Sequence, residues 1–411
     1  MTRRLDLVEA AAFGGAGLFV VCLYTSPATL YPWLAPARPA LLGALLMLAG
    51  LTLRRLLRGE RWSFVGGVGA AMCALYAWAG LSTLWSAAPG ESVAFVLEAV
   101  KLVAAFVGLA TALAAPSRVR VVMLVASLAA LVPALGTLQR FRDEVELIEG
   151  YRAAWIGLLA NPNQLAMVMA VTMPWTLASA LARRGALRWL LFGSLGVECA
   201  CAVVTYSRGG ALGMAMGLVA FALFAADRLK AIGLILVAAA AIAVFAPRSF
   251  WERTQTIDDY AMDASAQGRL KAWQTGFRAV EEHPLLGIGA GAYGHAWDRH
   301  QPRNIRERAY ASHNMWMQVL VELGLVGLAL FAAMFLLLLA GLWRARRVPD
   351  WSAEARALLA SFTALVVCGT TGGYAFNWFF YMALGVAGAV VAGSRAPPVR
   401  EGSHAAGLAV A

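Results

Sequence analysis

Charge is what this 411-residue sequence has least of: Asp, Glu, Lys and Arg make up 14% of it and hydrophobic residues 61%. A soluble domain carries about 25% charged and about 45–50% apolar residues, so a water-surrounded globule is excluded and an all-α integral membrane protein is implied. Cysteine is scarce as well. Cys22, Cys73, Cys199, Cys201 and Cys368 lie in or beside apolar runs, without metal-knuckle spacing and without a pair that suggests a disulfide. They read as small buried hydrophobes. H-E-x-x-H, the P-loop and G-x-S-x-G are all missing, which removes three common hydrolase and nucleotide-binding signatures. Asp258, Asp259 and Asp263 group too loosely to specify a metal site, and the sequence calls for no cofactor. No fixed-period repeat is present.

What is there is apolar and basic. The net charge is +11, a balance that often signals nucleic acid. Here the arginines form short clusters between apolar runs, where orientation in a bilayer accounts for them. A membrane helix needs about 20 apolar residues, and about twelve runs qualify: 7–25, 37–53, 62–84, 92–115, 118–138, 160–182, 187–206, 209–226, 230–246, 312–343, 354–373 and 376–394. The first follows Thr2-Arg3-Arg4 without a convincing small-residue cleavage site, so it reads as a retained helix. Basic connections alternate with connections poor in Lys and Arg. Arg3/Arg4, Arg54/Arg55/Arg58/Arg61, Arg118/Arg120, Arg183/Arg184/Arg188, Arg228/Lys230, Arg344/Arg346/Arg347 and Arg395/Arg400 fall on one side. The positive-inside rule then puts both termini in the cytoplasm and puts 139–159, the Ser207–Gly210 turn and 247–311 outside. The chain divides into nine spans over 1–246, an outer loop over 247–311, three spans over 312–394 and a tail, 395–411.

The outer loop, at about 65 residues, is too long for a structureless turn. Leu270, Trp273, Phe277 and Val280 have helical spacing, which predicts a helix over Gly268–Glu282 that Pro284 ends. Four of the five histidines fall between Trp251 and Leu330. His313 is expected to open the next helix behind Ser312 as N-cap, where the helix dipole disfavours imidazolium and leaves a proton acceptor; a histidine merely packed at the interface is the alternative. His283, His295 and His300 lack such a setting. Arg208 stands where one span leaves the membrane and the next re-enters. Gly209-Gly210 would let the backbone turn there, and the guanidinium fork suits a phosphate; a snorkelling arginine is the plainer reading. Arg269, one residue into the loop helix, is either a phosphate clamp at a helix N-terminus or a solvated surface group. Gly287, Gly289 and Gly291 could let backbone amides approach a ligand, although the run follows a helix and is no dinucleotide fingerprint. Asn161-Pro162-Asn163 opens the sixth span as a cap and turn, with Asn163 a possible substrate contact, as is Asn314.

Taken in order, Asn161-Pro162-Asn163-Gln164-Leu165-Ala166, Thr205-Tyr206-Ser207-Arg208-Gly209-Gly210, Gly268-Arg269 with Trp273, His283-Pro284-Leu285-Leu286-Gly287-Ile288-Gly289, and Ser312-His313-Asn314 leading to Glu322-Leu323-Gly324 resemble the O-antigen ligase and polymerase superfamily of bacterial envelope glycosyltransferases. The resemblance covers about 155–340; the first half is similar in hydropathy alone. It implies a GT-C-like helical fold in the inner membrane with its active site facing the periplasm. It implies a glycan donor on undecaprenyl pyrophosphate and, for a ligase, a sugar hydroxyl of lipid A–core as acceptor. Arg208 and Arg269 would bind the donor pyrophosphate and His313 would be the base, with inversion at the anomeric carbon and without a metal. A polymerase extending the lipid-linked glycan is the alternative within the superfamily. A lipid-linked sugar transporter is the alternative outside it, and would be expected to place ionisable groups such as Glu98, Lys101 and Glu198 near the membrane midplane.

Overall fold

The computed structural model describes residues 2–59, 66–225, 228–229, 232–233, 236, 264–300 and 311–395. Proline, fixed in φ and lacking an N–H, opens several of the helices. The apolar helices run α1 (Thr2–Thr25), α2 (Pro39–Arg58), α3 (Gly66–Leu81), α4 (Pro89–Ala112), α5 (Pro116–Ala129), α6 (Leu131–Arg142), α7 (Pro162–Leu181), α8 (Ala186–Val204) and α9 (Arg208–Phe224). Two polar helices follow, α10 (Ala264–Glu282) and α11 (Tyr293–His300), and then α12 (Met315–Ala345), α13 (Ser352–Gly369) and α14 (Trp378–Gly393). Among the described residues there is no strand, and nine helical stretches are long and apolar enough to cross a membrane. The 118–138 run is one such stretch built from α5 and α6, whereas α9 and α14 are shorter. Most of the expected span 230–246, all of 247–263 with the Asp258/Asp259/Asp263 group, residues 301–310 and the tail beyond Arg395 lie outside the described residues.

Helix α7 sits at the centre. It is buried along nearly its whole length and packs against α8, α9 and α13. Small residues set the closest approaches, as they must where lipid leaves no hydrophobic drive between helices. Gly209, Gly213 and Gly217 recur every fourth residue along α9 and face α13: a Cβ on each would meet Thr371, Cys368 and Ala364 respectively. Neither Gly209 nor Gly210 has the positive φ of a tight turn; that conformation falls on Tyr206, at φ 51°. The two glycines therefore serve packing, Gly209 on Thr371 and Gly210 on Ala166, rather than the turn expected of them.

The loop helix also differs from expectation. It begins by Ala264, so Arg269 lies in its second turn and not at its N-terminus. Its buried face carries Ala272, Thr275 and Ala279, while Phe277 is 53% exposed. Small residues win that face because α10 lies tightly on its neighbours: a Cβ at Gly276 would stand 3.1 Å from the Tyr293 hydroxyl and 3.2 Å from Val321.

Helix α12 breaks at Gly324, at φ 67° and ψ −170°. The broken turn is stitched to the Gly-rich run. Leu325 N–H donates to Pro284 O at 2.9 Å and Gly289 N–H to Glu322 O at 2.9 Å. The stretch after the break, Leu325–Ala345, rises about 31 Å at 1.5 Å per residue, close to the hydrocarbon thickness of a bilayer.

Candidate active site

Helix N-termini build the site. Asn161 caps α7, its Oδ1 accepting from the N–H groups of Asn163 and Gln164 at 2.9 and 3.2 Å. Ser207 caps α9, its hydroxyl accepting from Gly210 N–H at 3.2 Å, which leaves Arg208 as the first helical residue. Asn314, not Ser312, caps α12: its Oδ1 accepts from Trp316 and Met317 N–H at 2.9 and 3.1 Å. His313 therefore stands just outside the helix, at φ 46°. Left-handed backbone is uncommon for a residue with a Cβ and is found where surrounding structure holds it. The Asn314 cap on one side supplies part of that hold. On the other, Trp273 Nε1 donates to Ser312 O at 3.0 Å. Trp273 lies one helical turn from Arg269, on the same face of α10, so the bond that fixes Ser312 also brings Arg269 beside His313.

These elements and the loop after α13 enclose a cavity of about 430 Å³, within the ordinary size range for a small-molecule site. His313 lines it, with Asn161, Asn163 and Gln164 from the head of α7, Gln318 from α12, and Thr371, Gly372, Gly373 and Tyr374 from the loop. Amide, hydroxyl and imidazole groups thus converge at one end of the bundle. Burial, and then the Arg269 guanidinium, hold the imidazole of His313 below its ordinary pKa. The driver differs from the expected one: it is loss of solvent and a neighbouring cation, rather than a place in the first turn of α12.

Arg152 is the residue that sequence reading missed. It is 5% exposed and lies behind Asn163. Its Nη2 donates to Asn163 Oδ1 at 2.7 Å and its Nε to Thr205 O at 3.0 Å. Burial pulls its pKa down, Glu149 opposes that, and Arg208 adds to it. Burial pushes the Tyr374 phenol up, against the pull of Arg269 and Arg152. Arg208, Arg152, Tyr374, Arg269 and His313 therefore belong to one electrostatic neighbourhood, although they come from five separate parts of the chain.

The remaining candidates take other places. Gly289 and Gly291 are not among the residues that line the cavity. A Cβ on Gly289 would strike Ser86, and Gly291 N–H donates to the buried Glu322 carboxylate at 3.0 Å. Both tie the Gly-rich run to the break in α12 and to the start of α4. Asn314 is occupied as the cap. His295 is exposed, as is His283, and His300 lies 3.7 Å from Glu282. Among the described residues, no three His, Cys, Asp or Glu side chains group as a metal site would require.

Comparison with known proteins finds similarity to O-antigen ligases. Residues 189–332 match the O-antigen ligase family model, a stretch that contains Arg208, Arg269 and His313 and leaves Arg152 and Asn163 before it. An O-antigen ligase of Pseudomonas aeruginosa is 29% identical over 316 residues, covering 73% of this chain and 71% of the relative. The chain is thus similar to O-antigen ligases, matching their family model over residues 189–332 and one such ligase over most of its length.

Proposed function

We propose that the protein is an O-antigen ligase, a glycosyltransferase that moves a glycan from undecaprenyl pyrophosphate to a sugar hydroxyl of lipid A–core at the periplasmic face of the inner membrane. The observation that carries the reading is His313, kept neutral beside Arg269 in a polar cavity whose rear wall holds Arg152 close to Arg208. Neutral imidazole can take the proton of an acceptor hydroxyl. The freed oxygen attacks the anomeric carbon, the bond from that carbon to the phosphate oxygen breaks, and undecaprenyl pyrophosphate leaves with the electron pair. One displacement inverts the anomeric centre. Arg208 and Arg269, beside the cavity but not among the residues that line it, would meet the charge that develops on the leaving phosphate, and fixed cations in a partly desolvated site stabilise such charge more than water would. The donor brings its own activation, and no step in this scheme draws on a metal.

The test is transfer by purified protein in detergent, with lipid-linked glycan as donor, lipid A–core present or absent, and EDTA added. Glycan on lipid A–core that persists in EDTA and disappears in Arg208→Ala and His313→Ala supports the ligase. A ladder of longer lipid-linked glycan made without lipid A–core would identify a polymerase instead. No product in either arm, with an authenticated donor, would remove the glycosyltransferase reading.

A further inference from the structure

Arg152 and Asn161 have no part in the scheme above, yet both act on the orientation of groups that line the cavity. A carboxamide has one accepting end and one donating end. Arg152 Nη2 donates to Asn163 Oδ1 at 2.7 Å. A guanidinium has no acceptor, so this contact fixes the amide: Oδ1 faces Arg152 and the NH2 group is the end left for the cavity. Asn161 is fixed by a different route. Its Oδ1 accepts from two backbone N–H groups, at 2.9 and 3.2 Å, and its NH2 is likewise the end left over. Both residues line the cavity. The fold thus sets two hydrogen-bond donors side by side at the head of α7 and engages both acceptor ends elsewhere, Asn161 Oδ1 on two backbone N–H groups and Asn163 Oδ1 on Arg152.

Arg152 is placed to hold this arrangement in register with the rest of the site. Its Nε donates to Thr205 O at 3.0 Å and its Nη1 to Glu149 Oε1 at 3.4 Å. Thr205 lies three residues before Arg208, so one buried guanidinium joins the turn that carries Arg208 to the amide of Asn163. A wall of oriented donors with cations behind it matches an oxygen that accepts and does not donate. A phosphate oxygen is of that kind and satisfies such donors completely, whereas a sugar hydroxyl also needs an acceptor for its proton, which these two amides do not supply.

We propose that Asn161 and Asn163 bind phosphate oxygens of the donor's pyrophosphate through their amide NH2 groups, and that Arg152 is the positioning residue that orients Asn163 and ties it to the Arg208 turn. The identity of the donor rests on the ligase reading; the phosphate chemistry of this wall does not.

The experiment is binding of inorganic pyrophosphate to the purified full-length protein, measured by titration calorimetry, alongside donor and acceptor KM in the transfer assay. Asn161→Ser keeps a capping oxygen and removes the NH2 donor without adding charge. Asn163→Ala removes the second donor. Each is expected to weaken pyrophosphate binding about tenfold or more, as loss of a hydrogen bond to a charged group does, and to raise the donor KM with the acceptor KM unchanged. Arg152→Lys is expected to weaken binding as well, and to add little when combined with Asn163→Ala, because it acts through that residue. Acceptor KM rising while pyrophosphate affinity holds would overturn the proposal in favour of a sugar site. Unchanged affinities with only a lower melting temperature would overturn it in favour of a structural role, and so would a wild-type protein that binds no pyrophosphate. A wild-type protein that transfers no glycan but loses pyrophosphate binding in these variants would sink the ligase reading and keep the site.

Discussion

At the scale of single residues, His313 carries the sharpest expectations. His313→Ala should lower turnover by about 100- to 10,000-fold, the usual contribution of a general base, with little change in donor KM; an unchanged turnover would dismiss it as the base. The second expectation concerns pH. Burial, then Arg269, lower the His313 pKa from 6.5, so the acid limb of kcat/KM should fall below pH 6.5. Arg269→Gln removes one of the two causes and should move that limb upward toward 6.5 while also raising the donor KM. A limb that stays where it was would separate Arg269 from His313. Below pH 6.5 the unfolded chain binds a proton at this position that the folded one resists, so this group takes stability away as pH falls toward its folded pKa. His313 and Arg269 were each legible as polar residues in an apolar chain. Their meeting was not, because it depends on Trp273 donating to Ser312 O across 39 residues. Arg152 left no mark at all. It sits in a short polar stretch with no motif around it, and its weight comes from burial and from partners such as Thr205.

At the scale of elements, the site depends on how closely α9 approaches α13. The Gly209/Gly213/Gly217 stripe was in plain view as a four-residue spacing, yet Gly209-Gly210 reads at first as turn chemistry because it follows Ser207-Arg208. Only the helical conformation of both glycines shows that they pack. Gly213 would place a Cβ against Cys368 Sγ and 3.0 Å from Ala364 O, and the second of these is backbone that cannot yield without moving α13. Gly213→Leu is therefore expected to force the helices apart, at a cost of about 1–3 kcal/mol or more from overpacking, and to raise the donor KM by displacing Arg208 from the loop at Thr371. Thermal unfolding and donor KM read together check it: normal stability with a normal donor KM would show that the spacing between α9 and α13 does not set the site. The break in α12 is a different kind of feature. Glu322-Leu323-Gly324 was visible as a motif, but a helix-wide apolar pattern runs straight through Gly324, and nothing in hydropathy distinguishes a broken helix from a continuous one.

At the scale of the whole molecule, basic groups and the cavity occupy opposite ends. Glu9 gathers Arg54, Arg58 and Arg118 at 3.8, 2.8 and 2.9 Å, and Arg120 pairs with Glu354 at 2.6 Å. Four basic or acidic connections that are remote in sequence thus meet at one end of the bundle, the end at which α13 begins. The loop that follows α13, carrying Thr371 and Tyr374, closes the cavity at the other end. Helix α12 tells the same story: Arg344, Arg346 and Arg347 stand at its far end, and His313 precedes its start. The positive-inside rule predicts that the arginine end faces the cytoplasm and the cavity the periplasm. The proposed transfer makes the same demand, since under that proposal the donor is used at the periplasmic face. A cysteine-labelling experiment decides it. In a Cys73→Ser background, which removes the exposed native thiol, Asp298→Cys on the exposed side of α11 should react with a membrane-impermeant maleimide in cells whose outer membrane alone is permeabilised. Arg347→Cys should react only after the inner membrane is opened. The reverse pattern would put the cavity in the cytoplasm, and the proposed transfer could not then take place in this orientation.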